Sequence, residues 1–377
     1  MSTTEAPVVV AALRTPIGTA GHSLAALRAE HLGAPVLRAL LDRLPTDLDP
    51  DDVVLGNCTG PGGNLARLTA LTAGLPTTIP GLTVDRQCAS GLAAVDVASQ
   101  LVRGGARFVL AGGVESASTA PVRSWPAVGD TEPVPFTRAP FAPPDSDLEM
   151  GLANDLLAAD AGVGRERQDA YAARSHALAS AAQATGVFDP EIVPVAGVTR
   201  DDRPRAGLSV ERLARLRPAF REGGTVTAGN ACGISDGAAA VALVDAELHR
   251  QLDLPGLRIV ASATAGVDPA RPGRGLVPAV RTVLERSGIT LDAVDAVEVN
   301  EAFAGQVLAC CDELGLDPDR VCPEGGALAL GHPWGASGAV LLVRLFSRLA
   351  VRRQGRYGLA AIAAGGGLGV AMVVEAC

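Results

Sequence analysis

Apolar residues follow two rhythms along this chain. The run V-V-V-A-A-L from Val8 to Leu13 has no polar break, the pattern of a buried strand, whereas the apolar positions from Leu24 to Leu44 recur at helical spacing. Strand and helix alternate from the start, which predicts an α/β chain. From Thr83, T-V-D-R-Q-C-A-S-G-L-A-A-V-D-V-A-S-Q-L-V passes from a short β-branched segment straight into an Ala-rich helical pattern, so Cys88 falls at or near a helix N-terminus. R-F-V-L-A-G-G-V-E-S then reads as a buried strand ending at Gly112 and Gly113.

The second half repeats this grammar. V-D-A-V-E-V-N-E-A-F predicts a strand leading into a helix, and G-L-A-A-I-A-A-G-G-G-L-G-V-A-M-V-V-E predicts two apolar strands around a glycine turn. With Gly112 and Gly365 read as counterparts, the chain is expected to hold a duplicated α/β unit. Between the halves, Pro121 to Pro144 is Pro-rich and irregular, helical segments run through Ser180, and a polar, Arg-rich stretch spans Arg200 to Arg221. That is too long for a simple connection, so an inserted cap is expected.

Composition narrows the class. At 377 residues and 48% hydrophobic, the chain can bury a core of two or three domain-sized units. Its net charge of -9 argues against a nucleic-acid partner, which would draw on clustered cations. The basic residues are all arginine, a compositional trait with no functional demand behind it. The N-terminus lacks a charged region followed by an apolar one, and no apolar run approaches the ~20 residues of a membrane span, so a soluble, cytoplasmic protein without membrane association is expected. Seven cysteines without C-x-x-C spacing or nearby histidines suggest neither a disulfide framework nor a metal site.

Cys88 is the sharpest candidate nucleophile. Free amide N–H groups and a partial positive charge at a helix N-terminus lower a thiol pKa and can hold an oxyanion. By position alone, a buried inert cysteine is the more common case. The wider sequence changes that balance: R-T-P-I-G-T, D-R-Q-C-A-S-G-L-A-A-V, A-G-G-V-E-S, G-T-V-T-A-G-N-A-C-G-I-S-D-G-A-A-A, N-E-A-F-A, G-G-A-L-A-L-G-H-P-W-G-A-S-G and G-G-G-L-G-V-A resemble thiolase motifs in the family's own order, from Val8 to Glu375.

The resemblance implies a thiolase fold: two similar α/β halves in a layered αβαβα arrangement, with an inserted loop domain. The N-terminal half would take residues 1–115 and 235–255, the insertion 116–234 and the C-terminal half 256–377. It further implies that Cys88 takes an acyl group from a coenzyme A thioester, with His332 as its base. Histidine suits that role because its unperturbed pKa lies near neutrality. Asn300 resembles the residue that holds a water and forms an oxyanion hole with His332, though an asparagine there also suits a helix N-cap. The amides of Cys88 and Gly365 resemble the donors of a second oxyanion hole; the plainer reading of Gly365 is a tight turn needing positive φ. Arg205, Cys232 and Ser337 are the positions expected to contact coenzyme A, which enters as substrate with no permanently bound cofactor. A homodimer or dimer of dimers is implied too.

One departure bears on activity. Where thiolases carry a second cysteine that moves a proton at the α-carbon of the nucleophilic acyl-CoA, this chain has Ala363. General acid–base catalysis contributes about 10²- to 10⁴-fold, so Claisen condensation and thiolysis are expected to be slowed, while acylation of Cys88 survives and the acyl group passes to a second substrate. The donor could be acyl-CoA or an acyl-carrier thioester. The rival expectations are a conventional 3-ketoacyl-CoA thiolase with a substitute acid–base group, for which Cys322 and Cys377 lie nearby in sequence, and a non-catalytic CoA-binding partner subunit. Cys232 also stands where the family has serine, a stronger hydrogen-bond donor.

Overall fold

A computed structural model describes residues 6–45, 48–129, 131–136 and 138–377. In chain order the elements are β1 (Val8–Arg14), β2 (Gly18–Thr19), α1 (Ala29–Asp42), β3 (Asp52–Gly56), α2 (Leu65–Thr72), β4 (Leu82–Val84), α3 (Ser90–Arg103) and β5 (Phe108–Ser116). There follow β6 (Arg123–Trp125), β7 (Val134–Phe136), α4 (Met150–Asp160), α5 (Arg165–Ala184) and α6 (Val210–Leu213). The remainder is β8 (Ser235–Val244), α7 (Ala246–Leu252), β9 (Leu257–Gly266), α8 (Leu276–Ser287), β10 (Ala296–Val299), α9 (Ala304–Leu314), α10 (Ala327–Leu330), α11 (Trp334–Leu345), β11 (Tyr357–Ala364) and β12 (Leu368–Ala376).

The strands order as β10-β11-β12-β9-β1-β8-β5-β3-β4. From β1 outward the pairings to β8, β5 and β3 run antiparallel, antiparallel and parallel; from β9 outward, those to β12, β11 and β10 repeat that succession. The duplication expected from the sequence is thus present, with β5 matched to β11. Helices α3 and α11 pack against each other and against strands of both halves, α1 covers β8 and β5, and α8 covers β12 and β9. Helix, sheet, helix, sheet and helix therefore stack in five layers, the thiolase fold. Strands buried on both faces favour unbroken apolar runs, which is why Val8–Leu13 and Ala238–Val244 do not alternate.

Two expectations are corrected here. Strand β5 does not end at Gly112 and Gly113 but runs through them to Ser116. These glycines serve close approach: a Cβ on Gly113 would lie 1.9 Å from the carbonyl oxygen of Gly335 at the start of α11. And one helix, Trp334–Val351, is long and apolar enough to cross a membrane by length and composition, but 83% of it is buried inside the protein, where it forms the central layer.

The insertion docks through charge. Arg14, fully buried at the end of β1, binds Glu191 at 2.7 Å and Asp201 at 2.7 and 3.0 Å, both from the inserted segment. Glu191 also receives Arg344 of α11, which binds Glu324 in turn, and both guanidiniums lie over the Phe188 ring. Truncating one member of such a network strands the others without counter-charge. Arg14→Met is therefore expected to destabilise the protein by about 3–5 kcal/mol in urea denaturation; a loss near zero would show that the network is not what anchors the insertion.

Candidate active site

Cys88 lies two residues before the first turn of α3, in the short loop from β4, and Ser90 ties that loop down: its Oγ receives the Arg86 N–H at 2.7 Å and donates to the Gln87 carbonyl at 2.6 Å. Gln87 is held at φ +50°, a costly conformation for a side-chain-bearing residue, immediately before Cys88. His332 arrives from the other half, just before α11. The two helix starts meet backbone to backbone, since a Cβ on Gly91 would lie 2.7 Å from the Gly335 carbonyl oxygen. Only glycine at that crossing lets the loops carrying Cys88 and His332 come this close.

A buried carboxylate organises the contact from beneath. Glu115, at the end of β5, accepts from Asn57 Nδ2 at 3.0 Å, Cys58 N–H at 3.1 Å, Thr59 N–H at 3.1 Å and Oγ1 at 2.5 Å, and the Gly335 N–H at 3.0 Å. It locks the start of α11 onto β3 and β5. The sequence reading passed over Glu115, although its place in A-G-G-V-E-S, a charge closing an apolar strand, was the available signal.

The electrostatics correct one expectation. The backbone N–H groups of Gly365 and of Cys88 itself point at the sulfur and pull its pKa down, yet burial outweighs them, and the thiol is pushed up to about 11. The helix start does not make Cys88 a resting thiolate. Burial also drives His332 down to about 3, so both groups are neutral at neutral pH. His332 Nε2 lies 3.4 Å from Asn300 Nδ2, and Nδ1 lies 2.6 Å from Ser337 Oγ. Such an arrangement can pass the thiol proton to the imidazole at the moment of attack, with two amides facing the reacting centre.

The other residues fall as follows. Asn300, buried just past β10, is not a helix N-cap; Phe303 holds that position for α9. Gly365 does not have positive φ; Gly366 and Gly367 do, at +80° and +75°. At Gly365 the constraint is space, because a Cβ would meet the Phe141 ring of the insertion at 2.5 Å. Ser337 is buried behind the imidazole. Arg205 is exposed, its backbone N–H bound to His176 Nδ1 at 3.3 Å. Cys232 precedes the Gly233 carbonyl that receives the His332 N–H, and charge on Cys88 raises its pKa, to about 12 together with burial.

Of the cysteines considered as stand-ins near Ala363, neither reaches the site. Cys322 is buried with its thiol on the Val299 carbonyl, and Cys377 lies exposed beyond β12. Cys58, which the sequence reading missed, does flank Cys88: its thiol donates to the Gln87 carbonyl at 2.9 Å, and charge on Cys88 is among the causes raising its pKa. Among the described residues no group of His, Cys, Asp and Glu side chains could hold a metal ion.

Known proteins show the same architecture. Residues 7–247 match the family model described as thiolase, N-terminal domain, and residues 254–376 that described as thiolase, C-terminal domain. The chain is 44% identical to an acetyl-CoA acetyltransferase of Pseudomonas aeruginosa, over 97% of this chain and 98% of that one. It is 40% identical to a beta-ketoadipyl-CoA thiolase of Acinetobacter baylyi over the same shares. The crystal structure of the Bacillus anthracis acetyl-CoA acetyltransferase superposes with a TM-score of 0.93 at 38% identity, covering 99% of both chains.

A neutral thiol gives a pH signature. Below its pKa of about 11, the thiolate fraction of Cys88 grows with every pH unit. Alkylation of Cys88 by iodoacetamide, followed by peptide mass spectrometry, is therefore expected to accelerate about tenfold per unit from pH 7 to 9. A rate already level across that range would indicate a preformed thiolate–imidazolium pair instead.

Proposed function

Since the chain belongs to the thiolase family and is an acyltransferase of that family, we propose that it moves an acyl group from a coenzyme A thioester onto Cys88 and then to a carbon or thiol acceptor borne by a second coenzyme A, as a 3-ketoacyl-CoA thiolase does. The observation that carries this reading is the junction of α3 and α11: the abutting helix starts carry a thiol with two amide N–H groups aimed at it and an imidazole backed by Asn300. In this scheme Cys88 attacks the thioester carbon, its proton passes to His332 Nε2, and the departing coenzyme A thiolate takes that proton back.

The carbon–carbon step needs a further proton carrier, and Ala363 has none. We take a neighbouring thiol as its substitute. Cys232 is better suited than Cys58, because the Cys58 proton is already committed to the Gln87 carbonyl. The methyl group of Ala363 favours a second reading, in which acylated Cys88 hands its acyl group to an amine, hydroxyl or thiol without carbon–carbon chemistry. Arg205, exposed on the insertion, suits the phosphates of coenzyme A. Strand β4 ends the sheet with Leu82 exposed, and we take this edge as the homodimer contact.

Acetyl-CoA and acetoacetyl-CoA turnover separates these readings. Wild-type protein is expected to form a covalent acetyl adduct visible by intact mass and to thiolyse acetoacetyl-CoA, with both lost in Cys88→Ala; no adduct from any thioester would sink the proposal. Thiolysis is expected to fall about 10²-fold or more in Cys232→Ser and to be restored by adding Ala363→Cys. Adduct formation without thiolysis in wild type would select the second reading.

A further inference from the structure

The His332 ring has two working sides. If Nε2 is to receive the Cys88 proton it must be bare, so the ring's own proton sits on Nδ1 and is donated to Ser337 Oγ, 2.6 Å away. Ser337 then needs another acceptor for its hydroxyl proton. Were that proton turned back onto Nδ1, the ring would carry its proton on Nε2 and could not serve as a base. Whatever accepts the Ser337 proton therefore selects the tautomer.

Ser337 lines a small cavity of about 20 Å³ together with Asn300, Glu298 and Arg344, all four at most 3% exposed. A cavity needs about 10–15 Å³ to admit one water, and that water needs two to four polar partners. Arg344 engages Glu191 and Glu324 through its terminal nitrogens, but its buried Nε has no hydrogen-bond partner. Glu298 faces Arg344, with Glu324, Arg348 and the Cys322 thiol the other charged or titratable groups about it, and burial raises its pKa to about 8. An orphaned donor, a hydroxyl in need of an acceptor and a carboxyl thus line one water-sized space.

We propose that one water molecule in this cavity accepts from Ser337 Oγ and Arg344 Nε and donates to Glu298, making Glu298 a positioning residue that sets the tautomer of His332 through Ser337. The inference rests on the reading of His332 as the base for Cys88. No proton leaves along the chain: Nε2 gains the thiol proton during attack and returns it to the leaving thiolate, while Nδ1 stays protonated and donating throughout. A serine and a bound water here take the place that an adjacent carboxylate holds in other nucleophile–histidine sites, so the base is oriented without a charge in direct contact.

The test is single-turnover acylation of Cys88 by acetyl-CoA in Glu298→Leu, which removes the acceptor at similar volume, and in Glu298→Gln, which keeps an acceptor oxygen. Glu298→Leu is expected to slow acylation about 10- to 100-fold with KM nearly unchanged, and Glu298→Gln by only a few-fold. In a Ser337→Ala background, where the link is already cut, Glu298→Leu is expected to add less than about two-fold. Equal slowing in both backgrounds, or none in either, overturns the proposal. Should Glu298→Leu not fold, a high-resolution crystal structure of the wild-type protein decides, by a water within hydrogen-bond distance of Ser337 Oγ, Arg344 Nε and Glu298 or by a dry cavity. His332→Ala separates the two levels: if it leaves acylation intact the proposed function falls, whereas its loss of acylation beside a full-speed Glu298→Leu removes only this inference.

Discussion

Packing the half-buried Cys88 thiol and the buried His332 imidazole into the junction of α3 and α11 is the constraint on which the rest of this structure depends. Water would stabilise their charged forms; burial does the opposite, raising the thiol and lowering the imidazole until both rest neutral. Amide donors already in place face the Cys88 sulfur, so charge forming on it would be met without reorganising. Their burial follows from their place, since the two residues lie where the central helices of the two halves abut.

That depth has to be stabilised, and two buried ionic assemblies do so from either side. Glu115 gathers five donors from two chain segments and holds the start of α11 against β3 and β5. Arg14 and Arg344 share Glu191 and tie the insertion to both the first strand and the central helix. Glu301 adds a third tether, accepting from Tyr171 and Ser175 of α5 and from the Leu328 N–H, so the N-E-A-F segment that presents Asn300 is clamped by the insertion. Each carboxylate is fully satisfied, the condition under which a buried charge strengthens a site instead of weakening it. The insertion consequently does more than cover the site: through Phe141 it packs directly on the glycine turn whose amide faces Cys88.

Within this frame, Ala363 occupies one buried position of β11. Its methyl is buried, and its backbone pairs in register with Gly369 of β12. Two further thiols, Cys58 and Cys232, lie on loops close enough to Cys88 for charge on its sulfur to raise their pKa values, after burial.

Much was legible in the chain itself. Unbroken apolar runs specified doubly buried strands, the Ala-rich pattern after Cys88 specified α3, and the recurrence of strand, helix and glycine turn specified the duplication, because these depend on local periodicity and on which faces must leave water. The motifs also named Cys88, Asn300, His332 and Gly365. What the sequence could not decide was anything set by approach between distant segments. It suggested a thiol acidified by a helix start, but the sign of the shift follows from burial, which no local window contains. It read Gly112 and Gly113 as a strand end and offered a positive-φ turn as the plainer reading of Gly365, whereas contacts with Ala239, Gly335 and Phe141 respectively impose these three glycines. And it passed over Glu115 and Cys58, whose importance arises only once β3, β5 and α11 are brought together: pattern determines which residues are buried, and tertiary packing alone determines what each buried group faces.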